Sequence, residues 1–171
     1  MPRLLVVDDH PVNREVLVRQ LEILGCVADV AEDGQEALEI WRAAVDATHG
    51  FLSAEDRVEI DRMVAQDFLP NASLVLAVDG ADQPLGFLVM DGEMIDALFV
   101  DPAAYGRGIG TALVDHALSL APNALVDASE QASNAVPFYE SRGFVRTGRS
   151  EQDPQGRPYP LIHFRHPGRA G

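Results

Sequence analysis

Val100-Asp-Pro-Ala-Ala-Tyr-Gly-Arg-Gly-Ile-Gly-Thr111 separates an apolar run from a stretch with helical spacing. Gly106, Gly108 and Gly110 lack Cβ atoms, so the backbone can curl and aim its N–H groups at one anion. A helix beginning near Ile109 adds free N–H groups and the positive end of its dipole. Arg107 brings charge and Thr111 a hydroxyl. The segment reads as a pyrophosphate cradle, although glycines alone equally suit a flexible strand-to-helix turn. The loop of nucleotide triphosphatases requires a lysine, and this chain contains none. A dinucleotide fold places its loop after the first strand, with an acid about 20 residues on. Asp127 has that spacing, but this loop follows three strands joined by antiparallel turns.

Those strands precede the loop. Leu74–Val78, Leu85–Met90 and Met94–Val100 are separated by Asp79-Gly80 and Asp91-Gly92, the turn chemistry of hairpins. After the loop, Ile109–Leu120 predicts a helix with Leu113, Ala117 and Leu120 inward. Ala124–Ala128 reads as a strand, Ala135–Ser141 as a short helix, and Phe144–Ser150 and Pro160–Arg165 as two final strands. Upstream, Ser53 caps a helix whose inward face is Val58, Ile60, Val64 and Phe68. Further upstream the style changes. Leu4–Val7 and Cys26–Val30 read as strands, Asn13–Leu24 as a helix, and Asp33-Gly-Gln-Glu36 as a capping box. That box opens a helix carrying Leu38, Trp41 and Val45 on one face. Residues 1–48 therefore follow the strand-helix order of a parallel βαβ unit.

Composition sets outer limits. A 171-residue chain with 47% hydrophobic residues can bury a core. Its net charge of −14 disfavours phosphate backbones, so no nucleic-acid partner is expected, and it attracts cationic amines. No apolar run approaches the ~20 residues of a membrane span. Acidic residues follow the first apolar run directly, unlike a secretory signal, and the single Cys26 fits a reducing, cytoplasmic setting. No cluster has metal-ligand spacing, so no metal is expected. The missing lysine also removes self-acetylation on lysine side chains.

From about Gln35 to His166 the chain resembles the GNAT (Gcn5-related N-acetyltransferase) superfamily. Two stretches carry the resemblance. One is Tyr105-Gly-Arg-Gly108-Ile-Gly110, where Tyr105 replaces the usual Gln or Arg, after Ala97-Leu98-Phe99-Val100-Asp-Pro. The other is Asn134-Ala-Val-Pro-Phe138-Tyr139-Glu-Ser-Arg-Gly143-Phe144. The resemblance implies an α/β (α+β) fold with a mixed, mostly antiparallel sheet flanked by helices. It implies acetyl transfer from acetyl-coenzyme A to the amine of a small molecule or peptide, by direct attack. Coenzyme A would be held by Leu98, Phe99, Val100, Tyr105, Gly106, Arg107, Gly108, Ile109, Gly110, Thr111, Asn134 and Phe138. The strand carrying Leu98–Val100 would splay from its neighbour and pair with the pantetheine arm. Tyr139 would protonate the leaving thiolate, a task that suits a phenol because it is neutral at rest. Asp96 or Glu93 would take the amine's proton. Trp41, His49 and Phe51 would wall the acceptor pocket. His163 and His166 read as structural or exposed.

Residues 3–42 resemble the first half of a response-regulator receiver domain, with Asp8-Asp9 as its acidic pair. The phosphoacceptor strand and the lysine of that family are missing, and Asp56 and Asp61 end no strand, so phosphorelay chemistry is not expected. The expected organisation is a partial receiver-like βαβ segment at 1–34, not an independent domain. An acetyltransferase domain at 35–166 and a frayed tail at 167–171 complete it. In this reading Cys26–Val30 takes the place of the transferase's first strand, and the extra apolar surface makes a homodimer a candidate assembly. The competing reading is a non-catalytic coenzyme A-binding or regulatory fusion with a damaged acceptor site.

Overall fold

The computed structural model describes residues 3–7, 28–31, 35–72, 74–81 and 83–168. The expected helix at 13–24, the Asp8-Asp9 pair, Asp33, Cys26 and the end of the tail lie outside the described residues. Eight described strands form one sheet: β1 (Arg3–Val7), β2 (Ala28–Ala31), β3 (Leu74–Val78), β4 (Pro84–Asp91), β5 (Met94–Val100), β6 (Leu125–Ser129), β7 (Val145–Ser150) and β8 (Leu161–Arg165). The helices are α1 (Gln35–Thr48), α2 (Ala54–Met63), α3 (Ile109–Leu120) and α4 (Ala135–Ser141). One π-helical turn, Val64–Phe68, and one 3₁₀ turn, Leu69–Asn71, carry α2 into β3.

The strand order is β2-β1-β3-β4-β5-β6-β8-β7. Pairing is antiparallel except for β1 with β2 and β5 with β6. One expectation is corrected here. The strand beside β3 is β1, in register from Arg3↔Val78 to Val7↔Leu74, and the Ala28–Ala31 strand lies one place further out. β3 carries five consecutive buried residues, so it needs cover on both faces and a neighbour at each edge. The antiparallel Leu4–Val7 run supplies the outer neighbour.

Alternate residues of the sheet feed two cores. α3 and α4 cover one face, where Val75, Ala77, Leu88, Ile95, Val126, Ile162 and Phe164 meet Leu113, Ala117 and Tyr139. α1 covers the other, where Leu74, Leu76, Val78, Phe87, Val89 and Ala97 meet Leu38, Trp41 and Val45. Of the expected inward face of α2 and the turn after it, Val64 is buried and Ile60 and Phe68 pack against this second core, but Val58 does not. Val58 is 70% exposed and no residue of Ala54–Met63 is buried. Polar contacts add to this docking: Asp61 accepts two hydrogen bonds from Arg42 and one from Arg57, at 2.8, 2.9 and 2.9 Å. The Arg42 bonds, foremost, hold the Asp61 carboxyl down at about 2. Ser53 caps α2 as expected, accepting from Asp56 N–H at 3.1 Å.

Candidate active site

The site begins with two departures from regular pairing on β5. Val89 pairs with Ala97 but Met90 pairs with Ile95, so Asp96 is the extra residue of a β-bulge. On its other edge β5 pairs with β6 only at Met94↔Leu125 and Ile95↔Val126. Beyond Ile95 the two strands part, while β5 stays paired to β4 as far as Val100. A bulge bends its strand and raises local twist, which is what opens such a fork. The β5 backbone facing β6 from residue 96 to 100 is left without a strand partner.

At the end of β5 the chain turns sharply. Asp101 N–H donates to Leu85 C=O at 2.7 Å, and the Asp101 side chain accepts from Ala103 N–H at 2.9 Å. Gly106 and Gly108 then take φ of 81° and 79°, a region that penalises a Cβ. Gly108 is the N-cap of α3, and its C=O receives the first helical bond, from Ala112 N–H at 3.0 Å. The N–H groups of Ile109, Gly110 and Thr111 therefore have no intrahelical acceptor. They point out of the helix end where an anion is favoured.

α4 packs against this first turn. A Cβ on Gly110 would lie 3.1 Å from Phe138 Cζ, so the glycine permits the contact. One turn along α4, Arg142 reaches Thr111 Oγ1 at 3.4 Å, with its Nε buried and unpaired among the described residues. Tyr139, 6% exposed, sits edge-on to Phe138 and Phe144 at 5.2 and 5.4 Å. Burial pushes its phenol pKa up, so the ring keeps its proton.

A cavity of about 470 Å³ runs through the fork. Gly106, Gly108, Ile109, Gly110, Thr111, Asn134, Phe138 and Tyr139 line it on the α3–α4 side. Leu98, Phe99, Val100 and Tyr105 line its middle, and Thr48 and His49 at the end of α1 line the far side. Most of the sequence-predicted site is thus brought together. Arg107 is exposed and does not line the cavity. Glu93 lies in an exposed turn, with its C=O accepting from Leu125 N–H at 2.9 Å. Asp96 is exposed beside the fork; partial desolvation first, then Asp91, raises its pKa. Neither carboxylate lines the cavity. Trp41 is 5% exposed in the α1 core, with the Arg57 guanidinium 4.9 Å above its ring. Phe51 stands behind the cavity wall, its ring 5.1 Å from His49 and 5.8 Å from Tyr159. Sequence reasoning missed Ala44, Thr48, Ala104, Ala132 and Ala135 in the lining, and Arg142 beside it. Four-residue spacing was the available signal, from Ala44 to Thr48 and from Phe138 to Arg142.

The cradle, the fork and the threaded cavity fit a long, phosphate-headed cosubstrate. A family model described as "Acetyltransferase (GNAT) domain" matches residues 39–159. The chain belongs to the GNAT acetyltransferases. Peptidyl-lysine N-acetyltransferase YjaB of Salmonella typhimurium is 50% identical over 136 residues, covering 80% of this chain and 93% of that protein. Peptidyl-lysine N-acetyltransferase YiaC of Escherichia coli is 32% identical over 109 residues, covering 63% and 73%. The solution structure of apo-form YjaB from Escherichia coli superposes with a TM-score of 0.74 at 49% identity, over 80% of this chain and 92% of that one. This GNAT protein is an N-acetyltransferase that uses acetyl-coenzyme A, and the non-catalytic reading falls away.

Two polar groupings lie outside the cavity lining. The β7–β8 connection, residues 151–160, straps onto the start of α2. Tyr159 OH donates to the Asp56 carboxylate and accepts from Ser53 N–H at 3.2 Å. Arg157 adds ion pairs to Asp56 and Glu59 at 3.7 and 3.2 Å. On the open face beyond the fork, His163 bridges Asp127 and Ser150 at 2.5 and 2.6 Å, away from the cavity lining. Among the described residues no group of three or more His, Cys, Asp or Glu side chains could hold a metal ion, and no helix is long and apolar enough to cross a membrane.

Proposed function

We propose that this acetyltransferase modifies lysine side chains of peptides or proteins, with Tyr139 giving its proton to the departing thiolate. The carrying observation is the cavity that passes from the α3 N-terminus, through the fork, to the end of α1. It separates a phosphate end from an acceptor end on opposite faces of one sheet. A lysine side chain is long, thin and cationic, which suits a narrow entry in a chain of net charge −14. The two relatives named as peptidyl-lysine N-acetyltransferases support the same acceptor class.

Each residue set has a task in this reading. The free N–H groups at Ile109, Gly110 and Thr111, backed by Arg142, bind the pyrophosphate. The unpaired β5 edge at Leu98–Val100 holds the pantetheine amides as a strand would. Asn134 offers an exposed side-chain amide at the cavity rim and Phe138 packs the arm. Tyr139 is buried and protonated, and it lines the cavity where the thioester would lie. The strands Arg3–Val7 and Ala28–Ala31 extend the sheet, and this reading gives the front end no phosphorelay role.

Tyr139→Phe tests the reading. Turnover on a single-lysine peptide should fall on the order of 100-fold, the usual scale of general acid catalysis. Coenzyme A affinity, read by calorimetry, should stay within about twofold, because the ring and its packing remain. Unchanged turnover removes Tyr139 from the chemistry.

A further inference from the structure

His49 lies where α1 ends. Its N–H donates to Val45 C=O at 2.8 Å, so it continues the last helical turn. Its ring lines the cavity on the α1 side, opposite Tyr139. Phe51 and Phe99 flank it, with centroids 5.1 and 6.5 Å away.

The hydrogen bonds around the ring settle its tautomer. Thr48 Oγ1 donates its single proton to Ala44 C=O at 2.7 Å. The 2.7 Å contact between Thr48 Oγ1 and His49 Nδ1 must therefore use a proton on Nδ1. In the neutral ring Nε2 is then bare and can accept. Among the described residues no group bonds to Nε2. The ring thus presents a fixed lone pair at a cavity wall.

Two opposed influences act on its charge. Burial lowers its pKa, so the ring is neutral at rest. The C-terminal end of a helix favours a cation, so a transient imidazolium is stabilised there. The nearest carboxylate along the chain, Asp46, is bound to Arg57 at 3.1 Å, and Asp56, beyond the turn, is held by Tyr159 and Arg157. Neither carboxylate bonds to the His49 ring, burial is the cause of its shift, and β5 places the Phe99 ring beside it.

We infer that His49 is the general base of the acetyl transfer, taking the proton of a cationic amine at Nε2. This rests on the acetyl-transfer reading of the site and deepens it. The ammonium gives one proton to Nε2 and becomes a neutral amine. Its lone pair forms the N–C bond at the thioester carbonyl, and the C–S bond breaks. The thiolate takes the phenol proton of Tyr139. Of the second amine proton and the His49 proton, one restores the Tyr139 phenol and the other passes to solvent. Thr48 and Ala44 hold the ring in the tautomer that can act.

His49→Gln keeps a polar side chain and removes the base. Its kcat/KM should be compared with wild type on three acceptors: a single-lysine peptide, butylamine, and hydroxylamine, which is neutral without help at about pH 7. On the first two the variant should lose on the order of 100-fold at that pH. The deficit should shrink as pH approaches the amine pKa of about 10.4. Transfer to hydroxylamine and calorimetric affinity for coenzyme A should stay within about threefold. Equal loss on all three acceptors, or loss on none, overturns the role of His49. Wild type that acetylates butylamine but not the peptide overturns the lysine-peptide reading alone, and His49 is then judged on butylamine. Thr48→Val, which frees the tautomer without touching the base, should show a smaller loss with the same pH dependence. It serves if His49→Gln fails to fold.

Discussion

Single atoms decide several properties of this protein. Gly110 is one: a methyl there would press to 3.1 Å from Phe138 Cζ, tighter than most real contacts. Gly110→Ala would gain up to ~1 kcal/mol of helix propensity and lose ~1–3 kcal/mol to crowding. We therefore expect a small drop in melting temperature. A larger effect should appear in coenzyme A affinity, about 5–10-fold weaker, because Phe138 is pushed into the cavity. A titration by calorimetry reads it directly. His116 is another. It is 4% exposed, both ring nitrogens lack partners among the described residues, and burial alone lowers its pKa to about 4. In the unfolded chain the ring takes a proton near pH 6.5. Folding therefore excludes that proton, and the sign follows: stability is full above about pH 6.5 and falls as pH drops toward about 4. His116→Leu should flatten that limb in a series of thermal melts across this range and leave stability at about pH 7 equal or higher. An unaltered acid limb would show that other groups set it.

Elements were legible to the extent that their cause is local. The hairpins at Asp79-Gly80 and Asp91-Gly92, the cradle glycines and the Phe138-Tyr139 helix follow from neighbouring residues, and the ends of the strands from Leu74 onward agree within one position. What escaped depends on distant pairing. β8 inserts between β6 and β7, although β7 precedes it in sequence. The bulge at Asp96 and the fork after Ile95 have no signature in the apolar run Met94–Val100, because they are properties of three strands together. Trp41 shows the limit at one position: helical spacing correctly turned it inward, but inward there means the α1 core. The strap between β7 and β8 was equally invisible, since its anchor on α2 is about a hundred residues away. Tyr159→Phe tests what the strap does. It removes the hydroxyl that joins Asp56 to Ser53 and leaves the ring against Phe51. We expect a several-fold rise in KM for the amine acceptor, with the KM for acetyl-coenzyme A unchanged. A rise in both would mean that the strap supports the whole fold rather than the acceptor side.

The whole molecule is one sheet with unequal seams. β1 covers the outer edge of β3 through five residue pairs, although the matched family domain begins only at residue 39. Removing residues 1–34 should therefore leave the cavity residues in place but bare a fully buried strand. We expect the truncated chain to melt several degrees lower, roughly 2–4 °C for each kcal/mol lost in a domain of this size. It should also self-associate on a sizing column, as exposed strand edges do. Retention of melting temperature and of the full chain's elution volume would make the front end a passenger. The weakest seam is the fork, where only two residue pairs join β5 to β6. Mechanically the resting enzyme is two plates on a short hinge. In the proposed reading, a cosubstrate along the free β5 edge would close the gap between them as an added strand does. Loading should then stiffen the protein more than it reshapes it, with slowed amide exchange at residues 96–100 and along β6. Product release becomes the reopening of a seam, and the pace of turnover can be set by how readily the two plates part.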